Sequence, residues 1–239
     1  ITEGTFTKDA TTVRMRAYVA ATEDILIVEL RAEGATVDVS AKLEPTPGRG
    51  STEETGEQEG QLWANKTYHT EKPLAGTHPA HMETSAGAAV TVVGQEDMNV
   101  TLEPGKTVTL ALAMQTNFDT ESPLADAKKL VADLTLDKVK DLEQAHRQWW
   151  REFWAKGLVE IDEPDVQKAY YAAGYEQGIG LRDKDFPPGL FGLWLTSDDP
   201  SWAGDYHLNF DFQSAYYSLY KNNHIEQADT FEQPILDFI

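Results

Sequence analysis

The feature that most constrains the fold is a change of hydrophobic periodicity near Ser122 and Pro123. Before this point, short segments rich in β-branched residues alternate apolar and polar side chains, as half-buried strands do. After it, apolar residues recur every three or four positions, which is the spacing of amphipathic helices. We therefore predict a β region followed by an α region. The predicted strands cover 11–19, 25–30, 36–41, 88–93, 98–102 and 108–114.

Turn-rich clusters separate these strands at short intervals, which is typical of an antiparallel sandwich or barrel. We predict a multidomain α and β chain: an antiparallel β-sandwich over 1–119, a helical linker over 120–160, and a helical domain over 161–239. The polar stretch between Pro45 and Ser85 is either a surface excursion or a pair of weak strands around Trp63 and Tyr68.

Four helical features refine the second half. Thr135 is a candidate N-cap within the linker, and Pro164 follows an acidic residue at a predicted helix start. A further helix is predicted from about Asp211 to Asn222, and another from about Ile225. The aromatic cluster over 149–154 is interpreted as an interdomain wedge, with a sugar-binding platform as the alternative.

Composition excludes several classes of function. The 239 residues contain 20 basic and 40 acidic side chains, a formal net charge of −20, which disfavours nucleic acid and anionic lipid. No apolar run approaches the roughly 18 residues of a membrane span. The chain has no cysteine, which excludes disulfides and thiolate chemistry. We predict no metal and no cofactor. His78 and His81 are read as part of a solvated loop, and Asp198 and Asp199 as turn residues.

The most informative motif is the tract from Trp202 to Gln213, in which aromatic rings alternate with short polar side chains. A ring offers a flat apolar face and an amide or carboxylate offers directed hydrogen bonds, a combination that suits the CH faces and hydroxyl edges of a sugar. The predicted substrate-binding residues are Trp202, Asp205, His207, Gln213 and Trp194.

A β-sandwich, a helical linker and this motif together resemble glycoside hydrolase family 95, inverting enzymes built on an (α/α)6 barrel. The matching pattern is a tryptophan loop, then 209–213 (Asn-Phe-Asp-Phe-Gln), the pair Tyr216-Tyr217, and Asn222-Asn223 before Pro234. The detailed resemblance covers 148–239. It implies that 161–239 are the first helices of such a barrel. It also implies release of a terminal α-linked sugar, such as L-fucose or galactose, from an oligo- or polysaccharide.

One position departs from the family pattern. The family carries two asparagines that orient a water-activating carboxylate, and the second is Asp211 here. By resemblance Asn209 and Asp211 are the catalytic candidates. An aspartate cannot donate as an amide does, so Asp211 acts as a base, binds a pair of hydroxyls, or marks a different substrate branch.

The resemblance places the general acid in barrel segments beyond residue 239, so we expect a missing C-terminal segment of the same protein and a secreted or periplasmic location. Two alternatives stay open: a glycoside phosphorylase of the same clan, in which phosphate replaces water, and a non-catalytic carbohydrate-binding module.

Overall fold

A computed structural model of the chain describes residues 1–48, 50–69, 83–195 and 200–238. His78, His81, Asp198 and Asp199 lie outside these ranges. The chain divides into two compact units, Ile1–Arg147 and Gln148–Ile239, and each is described by itself.

The first unit is built on an antiparallel seven-stranded sheet with the order β1-β2-β3-β9-β7-β6-β5, and a two-stranded sheet of β4 and β8. The alternating pattern of β2, the nearly continuous apolar run of β3 and the apolar residues of β9 form neighbouring strands of the large sheet, as the sequence predicts. The strands are β1 (Thr2–Lys8), β2 (Thr11–Val19), β3 (Ile25–Glu33), β4 (Val37–Ser40), β5 (Ser51–Gln58), β6 (Gln61–Tyr68), β7 (Thr84–Val92), β8 (Asn99–Leu102) and β9 (Thr107–Thr116).

The two faces of the large sheet bury different sets of side chains because successive strand residues point to opposite sides. One face carries Ile27 and Ala111, directly paired across β3 and β9, and packs against Val131 and Val139 of the helices. The opposite face carries Leu30 and Val108, and packs with residues of the two-stranded sheet. A seven-stranded antiparallel sheet followed by helices agrees with the predicted sandwich and helical region.

Two helices begin in the first unit, α1 (Pro123–Ala132) and α2 (Leu136–Lys156), and the boundary between the units falls within α2. The Lys138 amide donates to Thr135 Oγ1 at 3.2 Å, which confirms the predicted cap. Gly87 of β7 allows α1 to lie close to the sheet: a Cβ there would lie 2.3 Å from Leu124 Cα.

A charged network joins α2 to the sheet within the first unit. Arg16 Nη1 lies 2.7 Å from Glu29 Oε2 and 3.0 Å from Glu143 Oε2, and Arg16 Nη2 also contacts Glu143. Arg147 Nε donates to Glu143 Oε1 at 2.7 Å. These hydrogen bonds, Arg16 first, hold the pKa of Glu143 below its usual 4.5. Burial, followed by the charge of Glu143, raises the pKa of Tyr18 to about 12.

The second unit contains α3 (Pro164–Gly180), α4 (Phe210–Ser214), α5 (Tyr217–Lys221) and α6 (Ile225–Phe238), with a 3-10 turn over Ser201–Gly204. Its core contains Leu181, Phe212, Tyr216, Leu219 and Ala228. The aromatic cluster of α2 packs against α3 in this unit: a Cβ at Gly178 would lie 2.9 Å from Phe153 and 3.0 Å from Trp150.

The predicted single helix from Asp211 to Asn222 is wrong, because α4 and α5 are separate. In a continuous helix the Leu219 amide would donate to the Ala215 carbonyl. Gln177 Nε2 instead donates to that carbonyl at 2.7 Å, and the Leu219 amide turns to the Tyr216 carbonyl at 3.1 Å. A side chain from α3 therefore interrupts the helix.

Three strands, β1, β5 and β6, show where the sequence pattern was weak. β1 was not predicted, since it has little apolar alternation and pairs at the edge of the sheet with β2. Of the two readings for the polar stretch, the pair of strands is confirmed for the described part up to residue 69: β5 and β6 form a hairpin with Gly56 opposite Trp63.

Candidate functional site

A cavity of about 450 Å³ lies within the second unit, between α3, the loop over 188–194, and the α4–α5 region. It combines apolar walls with a small number of polar groups, which is the usual composition of a small-molecule site. Three of the residues predicted from the sequence line it: Trp194, His207 and Asp211. The cavity is also lined by Glu176, Gln177, Gly189 and Tyr216.

His207 is held from two sides. Its Nε2 atom lies 2.6 Å from Asp205 Oδ1, and its ring stacks on Trp202 with 5.1 Å between centroids and 9° between planes. A hydrogen bond to the carboxylate assigns a proton to Nε2 and leaves Nδ1 of the neutral ring as an acceptor. The structure therefore brings together three of the predicted residues, with His207 as the member that lines the cavity.

Trp202 adopts a left-handed backbone conformation, with φ of 55°, inside the 3-10 turn. A bulky residue in that region costs roughly 1–2 kcal/mol. The conformation presents an indole that is 70% exposed and stacked on His207. Strain of this kind persists where the surrounding structure requires it, and functional sites are a common setting.

The loop that carries Trp194 is fixed to the loop that carries Asp205. The Leu190 amide donates to the Asp205 carbonyl at 3.1 Å, and Tyr206 Oη donates to the Pro187 carbonyl. Burial, with a contribution from Asp183, raises the pKa of Tyr206 and so keeps its hydroxyl protonated. A Cβ at Gly189 would lie 2.3 Å from the Gly204 carbonyl oxygen, so this approach of the two loops requires glycine.

Asn209 and Asp211 lie next to each other at the N-terminus of α4. Asn209 is the N-cap of α4, and its Oδ1 accepts from the Asp211 amide at 3.2 Å. Asp211 is exposed and lines the cavity. Gln213 Nε2 donates to the Leu208 carbonyl at 3.4 Å and its Oε1 accepts from Tyr217 Oη at 3.4 Å. The Asn209 and Gln213 contacts therefore stabilise the tract that carries Asp211.

Sequence reasoning missed the contribution of α3. Ala173, Glu176, Gln177 and Gly180 all line the cavity, at the i, i+3, i+4 and i+7 positions of one helical face. That spacing was the available signal, but a helical face of two small and two polar residues ordinarily faces solvent. Gln177 also donates to Ser218 Oγ at 2.6 Å and so joins α3 to α5.

Among the residues that the structure describes, no group of three or more His, Asp or Glu side chains is arranged to hold a metal ion. In the same part of the chain, none of the helices has both the length and the apolar character that a membrane crossing requires.

Comparison with protein families and with curated proteins finds no match for this chain. Among solved structures, the chain is similar to one described as a candidate kojibiose phosphorylase from the human microbiome, with 12% sequence identity and a TM-score of 0.44. The similarity covers 74% of this chain and 25% of that protein, so the chain spans about a quarter of its length.

Proposed function

We propose that this chain is part of a carbohydrate-active enzyme, and that the cavity bordered by Trp194, His207 and Asp211 binds a sugar ring. The observation that supports this most strongly is His207, which lines the cavity while paired with Asp205 and stacked on Trp202. Trp194, 61% exposed at the same cavity, supplies an apolar face. An aromatic face beside a fixed acceptor and a carboxylate matches the CH and hydroxyl surfaces of a pyranose.

The first test is binding by the chain itself. Isothermal titration with fucose- and galactose-terminated oligosaccharides is expected to give saturable binding that Trp194→Ala weakens about fivefold, corresponding to about 1 kcal/mol for an aromatic contact. Phe6→Ala is the matched control, because Phe6 is similarly exposed, at 59%, in the first unit. Equal affinities of the two variants contradict the assignment of the cavity.

The proposed reaction is inverting hydrolysis of a terminal α-linked sugar. Asp211 accepts a proton from water as the water oxygen bonds to the anomeric carbon and the bond to the leaving oxygen breaks. Asn209 positions that step by capping the turn on which Asp211 sits. The leaving oxygen takes its proton from a carboxylic acid supplied elsewhere in the protein, since inversion uses two carboxyl groups on opposite faces of the ring.

The second test uses the complete gene product and proton NMR of the released sugar. The expected result is a β-configured product from an α-linked substrate, at a rate that Asp211→Asn lowers by about 10²-fold or more. Turnover only with inorganic phosphate identifies a phosphorylase instead. Saccharide binding without turnover by the complete protein identifies a non-catalytic binding module.

The chain is further proposed to contain the first helices of a larger (α/α) barrel. Large apolar side chains are widely exposed in the second unit, to an extent that ordinarily marks an interaction surface. Apart from Trp194 and Trp202, which belong to the proposed sugar site, the most exposed are Leu158, Leu193, Leu208, Phe210, Tyr217, Ile225 and Leu236. Further helices of the same protein would cover them. An open reading frame that continues past codon 239 with paired amphipathic helices supports this proposal, and a stop codon there contradicts it.

A further inference from the structure

We propose that an acidic groove in the first unit is a docking site for a basic amphipathic helix of a partner protein. The groove has a volume of about 760 Å³ and lies between α1, the N-terminal half of α2, and the residues around Ile25 and Gln115 of the sheet. It is separate from the cavity of the second unit, and the inference does not depend on the proposed saccharide function.

The floor of the groove is apolar. Leu130 lies on α1, Leu134 in the connection between α1 and α2, and Leu142 on α2, while Ile25 closes the sheet side. The three leucines are only partly buried and pack on the core of the unit. An apolar floor of this kind is the surface into which an amphipathic helix commonly inserts the side chains of its apolar face.

The rim of the groove is acidic. Five carboxylates line it, against two lysines: Glu23, Asp119, Asp126, Asp133 and Asp141, with Lys129 and Lys138. Lys138 is already engaged, since its Nζ donates to the Asp133 carbonyl at 2.6 Å. Asp126 accepts from Thr120 Oγ1 at 2.5 Å, and Asp119 accepts from Thr116 Oγ1 at 2.7 Å, so both carboxylates are held in fixed positions.

The apolar floor and the acidic rim of the groove together determine which kind of partner can bind. A leucine-lined floor requires apolar side chains, and an excess of carboxylates requires lysine or arginine around them. The net charge of −20 on the whole chain attracts a basic partner over a longer distance and repels a second copy of the same chain. A basic helix with one apolar face satisfies both requirements.

The test is fluorescence anisotropy with the full chain and a labelled leucine–lysine peptide of about 18 residues, designed so that the leucines occupy one helical face. We expect saturable binding that weakens about tenfold when NaCl rises from about 50 to about 300 mM. The pair Glu23→Lys and Asp141→Lys is expected to weaken binding about tenfold or more. The matched control is Glu54→Lys with Glu57→Lys, which changes the net charge equally on exposed positions of β5.

Two further measurements locate the peptide. A second peptide of the same composition, with leucine and lysine scrambled so that no apolar face forms, is expected to bind at least about tenfold more weakly. Because the chain has no cysteine, Lys129→Cys allows a single environment-sensitive fluorophore at the rim, whose emission should shift to the blue on binding. Equal binding of the two peptides, an equal effect of the β5 control, or no spectral shift overturns the proposal.

Discussion

The carboxylate of Asp205 lies 2.6 Å from Nε2 of His207, and the two residues are separated by a single position in the chain. This short link determines which nitrogen of His207 carries the proton, while the stack on Trp202 fixes the plane of the ring. A loop side chain with both constraints is pre-organised for directional contact with a ligand.

Removal of this carboxylate should loosen His207 without removing it. Asp205→Ala is expected to weaken saccharide binding about tenfold, because the imidazole loses a charge-assisted hydrogen bond and its fixed orientation. Titration calorimetry measures the affinity, and nitrogen-15 NMR of the side chain reports a shift from one tautomer to a mixture. Asp229→Ala, at an exposed position of α6, is the control and should change neither readout.

The close approach of the two site loops should not tolerate a methyl group. Gly189→Ala places a Cβ 2.3 Å from the Gly204 carbonyl oxygen, and we expect a loss of about 1–3 kcal/mol in the free energy of unfolding. Urea denaturation measures that loss. Gly180→Ala is the matched control, because its new Cβ would have only ordinary contacts, at 3.9 Å from Leu193. Equal stability of the two variants would show that the loops separate easily.

The break between α4 and α5 should depend on Gln177. In Gln177→Leu the Ala215 carbonyl and the Ser218 hydroxyl both lose a donor, so we expect a loss of about 1–3 kcal/mol in stability. Hydrogen exchange should also show a change in protection of the Leu219 amide, which currently donates to Tyr216. Lys168→Ala, exposed on the same helix, should leave that amide unchanged.

The Glu143 network should make the first unit sensitive to acid. Because the folded state lowers the pKa of Glu143 below 4.5, the ionised carboxylate stabilises the fold above that value. This stabilisation is lost as the pH falls below 4.5 through the folded-state pKa. Glu143→Gln should therefore lower the melting temperature at pH 7, and the difference from the original chain should shrink below about pH 4.

Asp141→Asn on the same helix is the control for this pH dependence. It is exposed and outside the Arg16 network, so its melting curve should follow that of the original chain from pH 7 to about pH 3. A gap between Glu143→Gln and the original chain that stays constant over this range would show that the network contributes nothing through ionisation.

The sequence predicted β2, β3 and β9 well because their burial requires many apolar and β-branched residues in short segments. The predicted 11–19 segment coincides with β2, and the predicted 108–114 segment lies inside β9. The same reasoning failed for β1, whose residues are almost all exposed and leave no alternation to detect. Edge strands of this kind are specified by their partner, here β2, rather than by their own pattern.

The site was predicted only in part, for a physical reason. The polar–aromatic pattern of 202–213 predicted a site in this tract from local composition, and His207 and Asp211 of the tract line the cavity. The role of Gln177 was not visible, since its partner Ala215 lies 38 positions away in the chain. Interactions between a side chain and a distant backbone carbonyl have no local signature, and they determined both the helix break and one wall of the cavity.

The contact at Gly189 has an evolutionary consequence. Any relative that keeps the hydrogen bond between the two site loops must also keep a residue without a Cβ at this position, whatever ligand it binds. The residues around position 189 can vary while position 189 itself stays glycine. We therefore expect glycine at position 189 to be retained among homologues even where their ligands differ.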